Sequence, residues 1–227
     1  MGDSQPQPEQ GQLSERERTE IRDRFGGVLL LLIFTVFFSV AAPDEPWAWL
    51  ATAVVLCVTL GIAMLASGAR TNVVRAWLVV AGLSIGASIF ITIMQARGGG
   101  GYLALLTLLL TLVTMGAIAR RLWVHAEINM LTVLGAVSIY VLLGLAFASV
   151  FAVVGALGSQ PFFALPESGT RSDYMYFSFI TMETVGYGDL TPQSSLGRAL
   201  AVTEGLVGQL YLITAVAALV GNLGRTR

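Results

Sequence analysis

The sequence has no lysine, one cysteine, one histidine and few charged residues of either sign. The single cysteine, Cys57, excludes a disulfide within the chain. No metal-ligand cluster and no nucleophile–base pair stands out, so nothing supports an enzyme. Charged residues make up 12% of the 227 positions, about half the fraction expected of a soluble domain. The net charge of −1 gives no basis for binding nucleic acid.

Long apolar runs take the place of that charge, since 55% of the residues are hydrophobic. A helix needs about 20 apolar residues to cross a bilayer. Six runs approach or exceed that length, which predicts an all-α membrane protein with six transmembrane helices. The predicted spans are 25–42, 46–67, 73–95, 102–119, 128–157 and 197–223.

Arginine placement predicts the orientation of these spans. With the N-terminus inside, three of the 13 basic residues fall outside, namely Arg97, Arg171 and Arg198, and the other ten fall inside. This bias follows the positive-inside rule. We therefore expect an integral protein of the cell (plasma) membrane with both termini cytoplasmic.

The breaks between spans divide the chain into four predicted segments. They are a cytoplasmic N-terminal segment at 1–24, a four-helix peripheral domain at 25–119, a cytoplasmic linker at 120–127 and a pore domain at 128–227. No cytosolic ligand-binding domain is expected.

The peripheral domain lacks the charges that a voltage sensor requires. The fourth span, 102–119, contains no charged residue, and no Asp or Glu occurs between Glu45 and Glu127. Moving one charge through the membrane field is worth about 2.3 kcal/mol per 100 mV. With no charge to move, these helices are not expected to gate by voltage.

The most informative motif is Thr-Val-Gly-Tyr-Gly-Asp at 184–189, which follows a short aromatic run. A dehydrated K⁺ needs oxygens to replace its hydration shell, and backbone carbonyls can supply them. Gly186 and Gly188 can adopt the positive φ angles that such a backbone requires. Val185 and Tyr187 can pack away from the ion path, and the Thr184 hydroxyl can add oxygens at the inner end.

On these residues the chain resembles the tetrameric potassium-channel superfamily, in a six-span form that lacks voltage-sensor charges. The resemblance extends through Tyr176–Glu183 before the motif and Leu190–Pro192 after it. It implies a re-entrant pore helix and selectivity filter between spans five and six, assembled as a fourfold pore in a homotetramer. K⁺ would be the permeant ion, bound at Thr184, Val185, Gly186 and Tyr187, with Gly188 completing the filter and Asp189 at the outer mouth.

The surrounding helices supply further candidates. Ser172 or Asp173 is predicted to cap the pore helix, and Tyr174, Tyr176, Phe177 and Phe179 to form an aromatic cuff around the filter. In span six, side chains at helical spacing can line a cavity and gate, and two glycines can act as a hinge or allow close packing. The cavity and gate candidates are Gln209, Leu212, Val216 and Val220, and the hinge candidates are Gly205 and Gly208.

Two acids at membrane depth, Glu183 and Glu204, are candidates for supporting the filter. One hypothesis is a shared hydrogen-bonded network that makes conduction sensitive to pH, and the alternative is that each bonds to local hydroxyls with a structural role. Glu183 stands where the similar family usually carries a small or hydroxyl-bearing residue.

The sequence therefore predicts a K⁺-selective channel that conducts passively and needs no cofactor, surrounded by membrane lipid. Two alternatives remain at this point: a weakly selective cation channel, if Glu183 alters the innermost ion site, and a non-conducting regulatory channel subunit.

Overall fold

The structure is a computed structural model that describes residues 26–43, 46–66, 71–94, 100–124, 130–165 and 167–223. The predictions for the N-terminal segment 1–24 and for residues 125–127 of the linker lie outside these ranges. The described residues form helices joined by short connections, with one isolated β-bridge between Phe163 and Pro192. The helices are α1 (Gly26–Ala41), α2 (Pro46–Ala66), α3 (Thr71–Met94), α4 (Gly100–Val124), α5 (Met130–Leu157), α6 (Arg171–Met182) and α7 (Ser195–Leu223).

Three of these helices are long and apolar enough to cross a membrane: α4, α5 and α7. Their apolar stretches run over Gly101–Arg120, Thr132–Leu157 and Ser195–Ala218. Within the described residues, the apolar stretches of α1, α2 and α3 are shorter, at Gly26–Ala41, Val54–Met64 and Val74–Ala87. The chain is therefore a helical membrane protein with at least these three candidate spans.

Several helix ends differ from the predicted bounds by a few residues. Helix α4 continues to Val124 rather than ending before a linker at Arg120. Arginine and leucine are good helix formers, and nothing between Arg120 and Val124 breaks the helix. Helix α6 begins at Arg171, one to two residues earlier than predicted.

Helices α1 to α4 pack on α5 and α6 of the same chain. One core cluster joins side chains of α1 to α5 with Met175 of α6. Near the N-terminus of α6, the Ser172 hydroxyl also donates to the Val40 carbonyl of α1 at 2.7 Å. Helix α6 is therefore held by the N-terminal helices as well as by α5 and α7.

Close packing of α6 on α5 depends on a glycine. A methyl group placed on Gly144 would lie 2.7–3.0 Å from three ring carbons of Phe179. Such distances are shorter than van der Waals contact, so the ring reaches the α5 backbone only because no side chain intervenes.

Replacing Gly144 with Ala is therefore expected to destabilise the fold by about 1–3 kcal/mol, the usual cost of overpacking. Thermal unfolding in detergent measures the loss. Gly116→Ala in α4 is the matched control, because nothing lies within 4 Å of the added methyl group there. Equal unfolding temperatures for the two variants would contradict the packing argument.

Candidate pore loop and its supporting contacts

The loop after α5 ends in a capping box at the N-terminus of α6. The Thr170 hydroxyl accepts from the Asp173 backbone N–H at 3.1 Å, and the Asp173 carboxylate accepts from the Thr170 N–H at 2.9 Å and the Gly169 N–H at 2.8 Å. The N-cap is Thr170, so the prediction of Ser172 or Asp173 as the cap is wrong. The sequence signal was present in the Thr-x-x-Asp spacing.

Aromatic side chains surround α6 on its buried side. Phe177 packs edge-on against Phe151 and Phe163, with ring centroids 5.2 and 5.3 Å apart. Tyr174 joins the same cluster through Phe162 and Phe163. Such pairs are worth about 0.5–1.5 kcal/mol each beyond the area they bury. Of the four residues predicted to form the cuff, three pack in this cluster, namely Tyr174, Tyr176 and Phe177, whereas Phe179 faces Gly144 of α5.

The sign of the backbone φ angle alternates from residue to residue over 184–188, just after α6 ends. The φ angles of Thr184, Gly186 and Gly188 are +58°, +52° and +82°, whereas Val185 and Tyr187 keep negative φ. The two glycines adopt this conformation at little cost, but Thr184 does so against its own preference. Residue preference did not indicate this conformation at Thr184, because threonine rarely takes a positive φ.

The first peptide groups of this segment turn back onto α6. The Val185 and Gly186 N–H groups donate to the Ile180 carbonyl at 2.9 and 3.2 Å, and the Thr184 N–H donates to the Thr181 carbonyl at 3.1 Å. Each peptide N–H and its carbonyl point in opposite directions. Because the N–H groups bond to the helix end, the carbonyls preceding them are turned away from it.

The residues of this segment are exposed in the single chain. Val185 is 48% exposed and Tyr187 is 73% exposed, and every residue from 183 to 189 is exposed to solvent. This is unusual for a valine and a tyrosine beside a well-packed helix. The segment therefore has its supporting contacts on one side and open space on the other.

The outer end of the segment is fixed by contacts with α6 and with the preceding loop. The Tyr176 hydroxyl donates to the Asp189 carboxylate at 3.0 Å. The Ala164 N–H donates to the Thr191 carbonyl at 2.9 Å, and the Gln193 N–H donates to the Phe162 carbonyl at 2.8 Å. These bonds hold the residues after the motif against the aromatic cluster.

The two candidate acids have different environments. Glu183 is the exposed C-cap of α6. Glu204 is 0% exposed and makes a short hydrogen-bond contact with the Ser178 hydroxyl of α6. The contacts described for Glu204 do not include Glu183; Tyr140 of α5 interacts electrostatically with both acids and hydrogen-bonds to the Glu183 side chain. The shared network therefore stays a hypothesis, and the partner that sequence reasoning missed is Ser178.

The cavity and gate candidates lie on the less buried side of α7. Gln209 is half-buried, and Leu212 and Val216 are 40% and 50% exposed. The Val220 side chain lies outside the described residues. The described candidates on this face of α7 are thus only partly covered by the chain's other helices.

The two hinge candidates differ in their surroundings. A methyl group on Gly208 would lie 2.6 Å from Cγ of Met182, the last residue of α6, whereas nothing lies within 4 Å of one on Gly205. Gly208 therefore allows close packing of α7 against the end of α6, and only Gly205 has free space around it.

No cluster of three or more His, Cys, Asp or Glu side chains suited to a metal ion occurs in the described part of the chain. The oxygen groups of this segment are its backbone carbonyls, the Thr184 hydroxyl and the exposed carboxylates of Glu183 and Asp189. Oxygen donors of this kind suit hard cations rather than transition metals.

Comparison with known proteins places the match on this same region. Residues 139–224 match a family model described as an ion channel. The protein LctB of Bacillus caldotenax is 36% identical over 83 residues, which cover 34% of this chain and 60% of that protein. LctB of Geobacillus stearothermophilus is 38% identical over 78 residues, covering 32% and 56%. The chain thus spans less than two thirds of the length of either relative, and the match indicates an ion-channel domain from α5 to α7.

The capping box gives a test of how strongly α6 depends on its N-terminus. Thr170→Ala removes the hydroxyl that accepts from Asp173, which is expected to cost about 0.5–2 kcal/mol of unfolding free energy. Chemical or thermal unfolding in detergent measures it, together with hydrogen exchange at residues 171–174. Thr170→Ser keeps the acceptor and should retain most of the stability. If serine and alanine weaken the protein equally, the hydroxyl is not what caps the helix.

Proposed function

We propose that the chain is one subunit of a homotetrameric K⁺-selective channel that conducts passively across the cell membrane. The observation that carries the proposal is the alternation of φ sign at Thr184, Gly186 and Gly188. A backbone of alternating hand gathers its N–H groups on one side and directs its carbonyls to the other. A line of carbonyls is the ligand set that can replace the hydration shell of K⁺.

The exposure of the segment supports a fourfold assembly. One chain supplies one line of oxygens, and a cation needs ligands around its whole circumference. Residues 183–189 are open on the side away from α6, and the same holds for much of α7, where Leu206, Leu210 and Ile213 are 60–62% exposed. Closed symmetry around one axis would cover both surfaces with identical copies.

The pore helix adds an electrostatic contribution. The C-terminus of α6 lies next to the innermost residue of the proposed filter, since Thr184 bonds back to Thr181. A helix C-terminus carries partial negative charge, so four such ends directed at one axis would favour a cation there. Asp189, held by Tyr176, would add negative charge at the outer mouth.

In this proposal, Thr184, Val185, Gly186 and Tyr187 bind K⁺ and Gly188 completes the filter. Gln209, Leu212, Val216 and Val220 line the cavity and gate on α7. Both termini are cytoplasmic, as the arginine distribution favours, and lipid surrounds the peripheral helices.

Glu183 favours one competing function, a weakly selective cation channel. Its carboxylate is exposed and directly precedes Thr184. A negative charge there adds a strong ligand beside the innermost site. Such a ligand attracts hard cations in general, so it would weaken the discrimination between K⁺ and Na⁺.

The reversal potential of the purified protein separates the two functions. In planar bilayers with K⁺ on one side and Na⁺ on the other, we expect reversal close to the K⁺ equilibrium potential. Reversal near zero would instead establish the weakly selective channel. Failure to conduct at any voltage or pH would point to the non-conducting subunit.

Substitution of Gly186 tests the backbone argument directly. Gly186→Ala forces a side chain into a positive φ, which costs roughly 1–2 kcal/mol per chain, and four copies would share the axis. We expect loss of K⁺ selectivity or of current, seen in the same bilayer measurement. The control is Gly116→Ala, far from the motif and free of contacts. Unchanged selectivity in Gly186→Ala would contradict the proposed ligand geometry.

The proposed channel is not gated by voltage through its first four helices. The span 102–119 in α4 carries no charged residue, so the membrane field has nothing to act on there. The conductance–voltage curve, recorded between symmetric K⁺ solutions, is expected to be shallow. A steep curve requiring several gating charges per subunit would contradict this.

A further inference from the structure

The hydroxyl of Ser178 faces two oxygen atoms but has one proton to donate. It lies 2.8 Å from the Gly144 carbonyl oxygen of α5 and also contacts Oε1 of Glu204 on α7. All three residues are buried. A hydroxyl can donate one hydrogen bond and accept others, so it cannot donate to both neighbours.

The carbonyl of Gly144 fixes the direction of the proton. A carbonyl oxygen carries no hydrogen, so its contact with Ser178 is a hydrogen bond only if Ser178 is the donor. Ser178 is then the acceptor in its contact with Glu204. That contact is a hydrogen bond only if Glu204 carries a proton.

The second oxygen of Glu204 agrees with this assignment. Oε2 is buried and has no hydrogen-bond partner in the described part of the chain. An ionised carboxylate would leave a negatively charged oxygen buried and unpaired, which is strongly unfavourable at membrane depth. The carbonyl oxygen of a neutral acid tolerates the same position far better.

We infer that Glu204 is a neutral carboxylic acid in the folded protein. Glu204 then donates a hydrogen bond to Ser178, and Ser178 donates one to the Gly144 carbonyl, so these two bonds tie α7 and α5 to the pore helix α6. Glu204 is thus a positioning residue that acts on the filter through α6. Ionisation of Glu204 would reverse the first hydrogen bond, because Ser178 would then donate to the carboxylate. The hydrogen bond from Ser178 to the Gly144 carbonyl would be lost. Resting on the proposed function, the consequence is a K⁺ current that falls as the pH rises.

Few other titratable groups lie around this site. Tyr140 of α5 interacts with both acids, and its ring stacks on Tyr211 of α7 at 6.2 Å. The hydroxyl of Tyr211 donates to the Ala136 carbonyl at 2.7 Å. Glu183 at the end of α6 is exposed. Among the described residues, the hydrogen-bonding side chain on Glu204 is that of Ser178.

Infrared spectroscopy of the purified protein tests the protonation state without requiring conduction. At neutral pH we expect the C=O stretching band of a protonated carboxylic acid in the wild type and its loss in Glu204→Gln. Glu183→Gln is the matched control: Glu183 is exposed at the end of α6 and lies outside this set of hydrogen bonds, so its substitution should leave the band unchanged. If the wild type and Glu204→Gln give the same band intensity, Glu204 is ionised and the inference is wrong. This result stands whether or not the protein conducts K⁺.

Substitutions test whether the chain of hydrogen bonds positions α6. Glu204→Gln keeps a donor for Ser178 in nearly the same shape, so it should preserve thermal stability, whereas Glu204→Ala and Ser178→Ala should lower it. Ser149→Ala is the control for Ser178→Ala, because the buried Ser149 hydroxyl bonds only within its own helix, to the Leu145 carbonyl. If Glu204→Gln were as unstable as Glu204→Ala, the proposed hydrogen bond from Glu204 to Ser178 would be wrong.

The pH dependence of K⁺ flux into vesicles tests the consequence for the filter. Wild-type flux is expected to fall reversibly at alkaline pH, and flux through Glu204→Gln is expected not to show that fall. An identical alkaline fall in both would assign it to another group, such as Tyr140, and would overturn the role of Glu204. Absence of flux at every pH, with the infrared band present, would count against the proposed channel function and not against the protonated acid.

Discussion

The alternating hand of the backbone at 184–188 is the constraint on which the surrounding structure depends. A segment of this kind has no regular hydrogen-bond ladder of its own, and at Thr184 it is held in a conformation that threonine disfavours. It persists only because its neighbours fix it. Helix α6 accepts its first N–H groups at the inner end, and Tyr176 and the 162–164 segment hold its outer end. The side opposite these contacts is left free, which is where a cation and other subunits would have to lie.

Helix α6 can hold this segment in place because α6 is itself anchored along its whole length. Its N-terminus has a capping box and a hydrogen bond to α1. Its middle packs against the aromatic cluster and the bare backbone of Gly144. Its C-terminus is covered by the close approach of α7 at Gly208. Each anchor comes from a different element, so the geometry of the proposed filter is a property of the assembled pore domain and not of the motif alone.

Much of this arrangement was predictable because its signals are local. Apolar runs predicted six spans, and among the described residues α4, α5 and α7 have the length and composition that a bilayer requires. The Gly-Tyr-Gly pattern indicated positive φ at Gly186 and Gly188, where a side chain would be strained. Helix ends were predicted less well. The cap fell on Thr170 because two residues share the capping hydrogen bonds, and a position-by-position reading of Ser172 and Asp173 missed that reciprocity.

The sequence by itself determined the chemistry that the chain can offer: backbone oxygens in an apolar, lysine-free membrane protein with no charge in its fourth apolar span. Only the tertiary structure decided which side chains support that chemistry. Glu204 meets Ser178, 26 residues away, and not Glu183, and Gly208 rather than Gly205 lies against the pore helix. Periodicity and residue preference specify how each helix forms, but not which faces of separate helices meet. Packing of the whole domain sets those contacts, because close approach is possible only where the surfaces of two helices fit together.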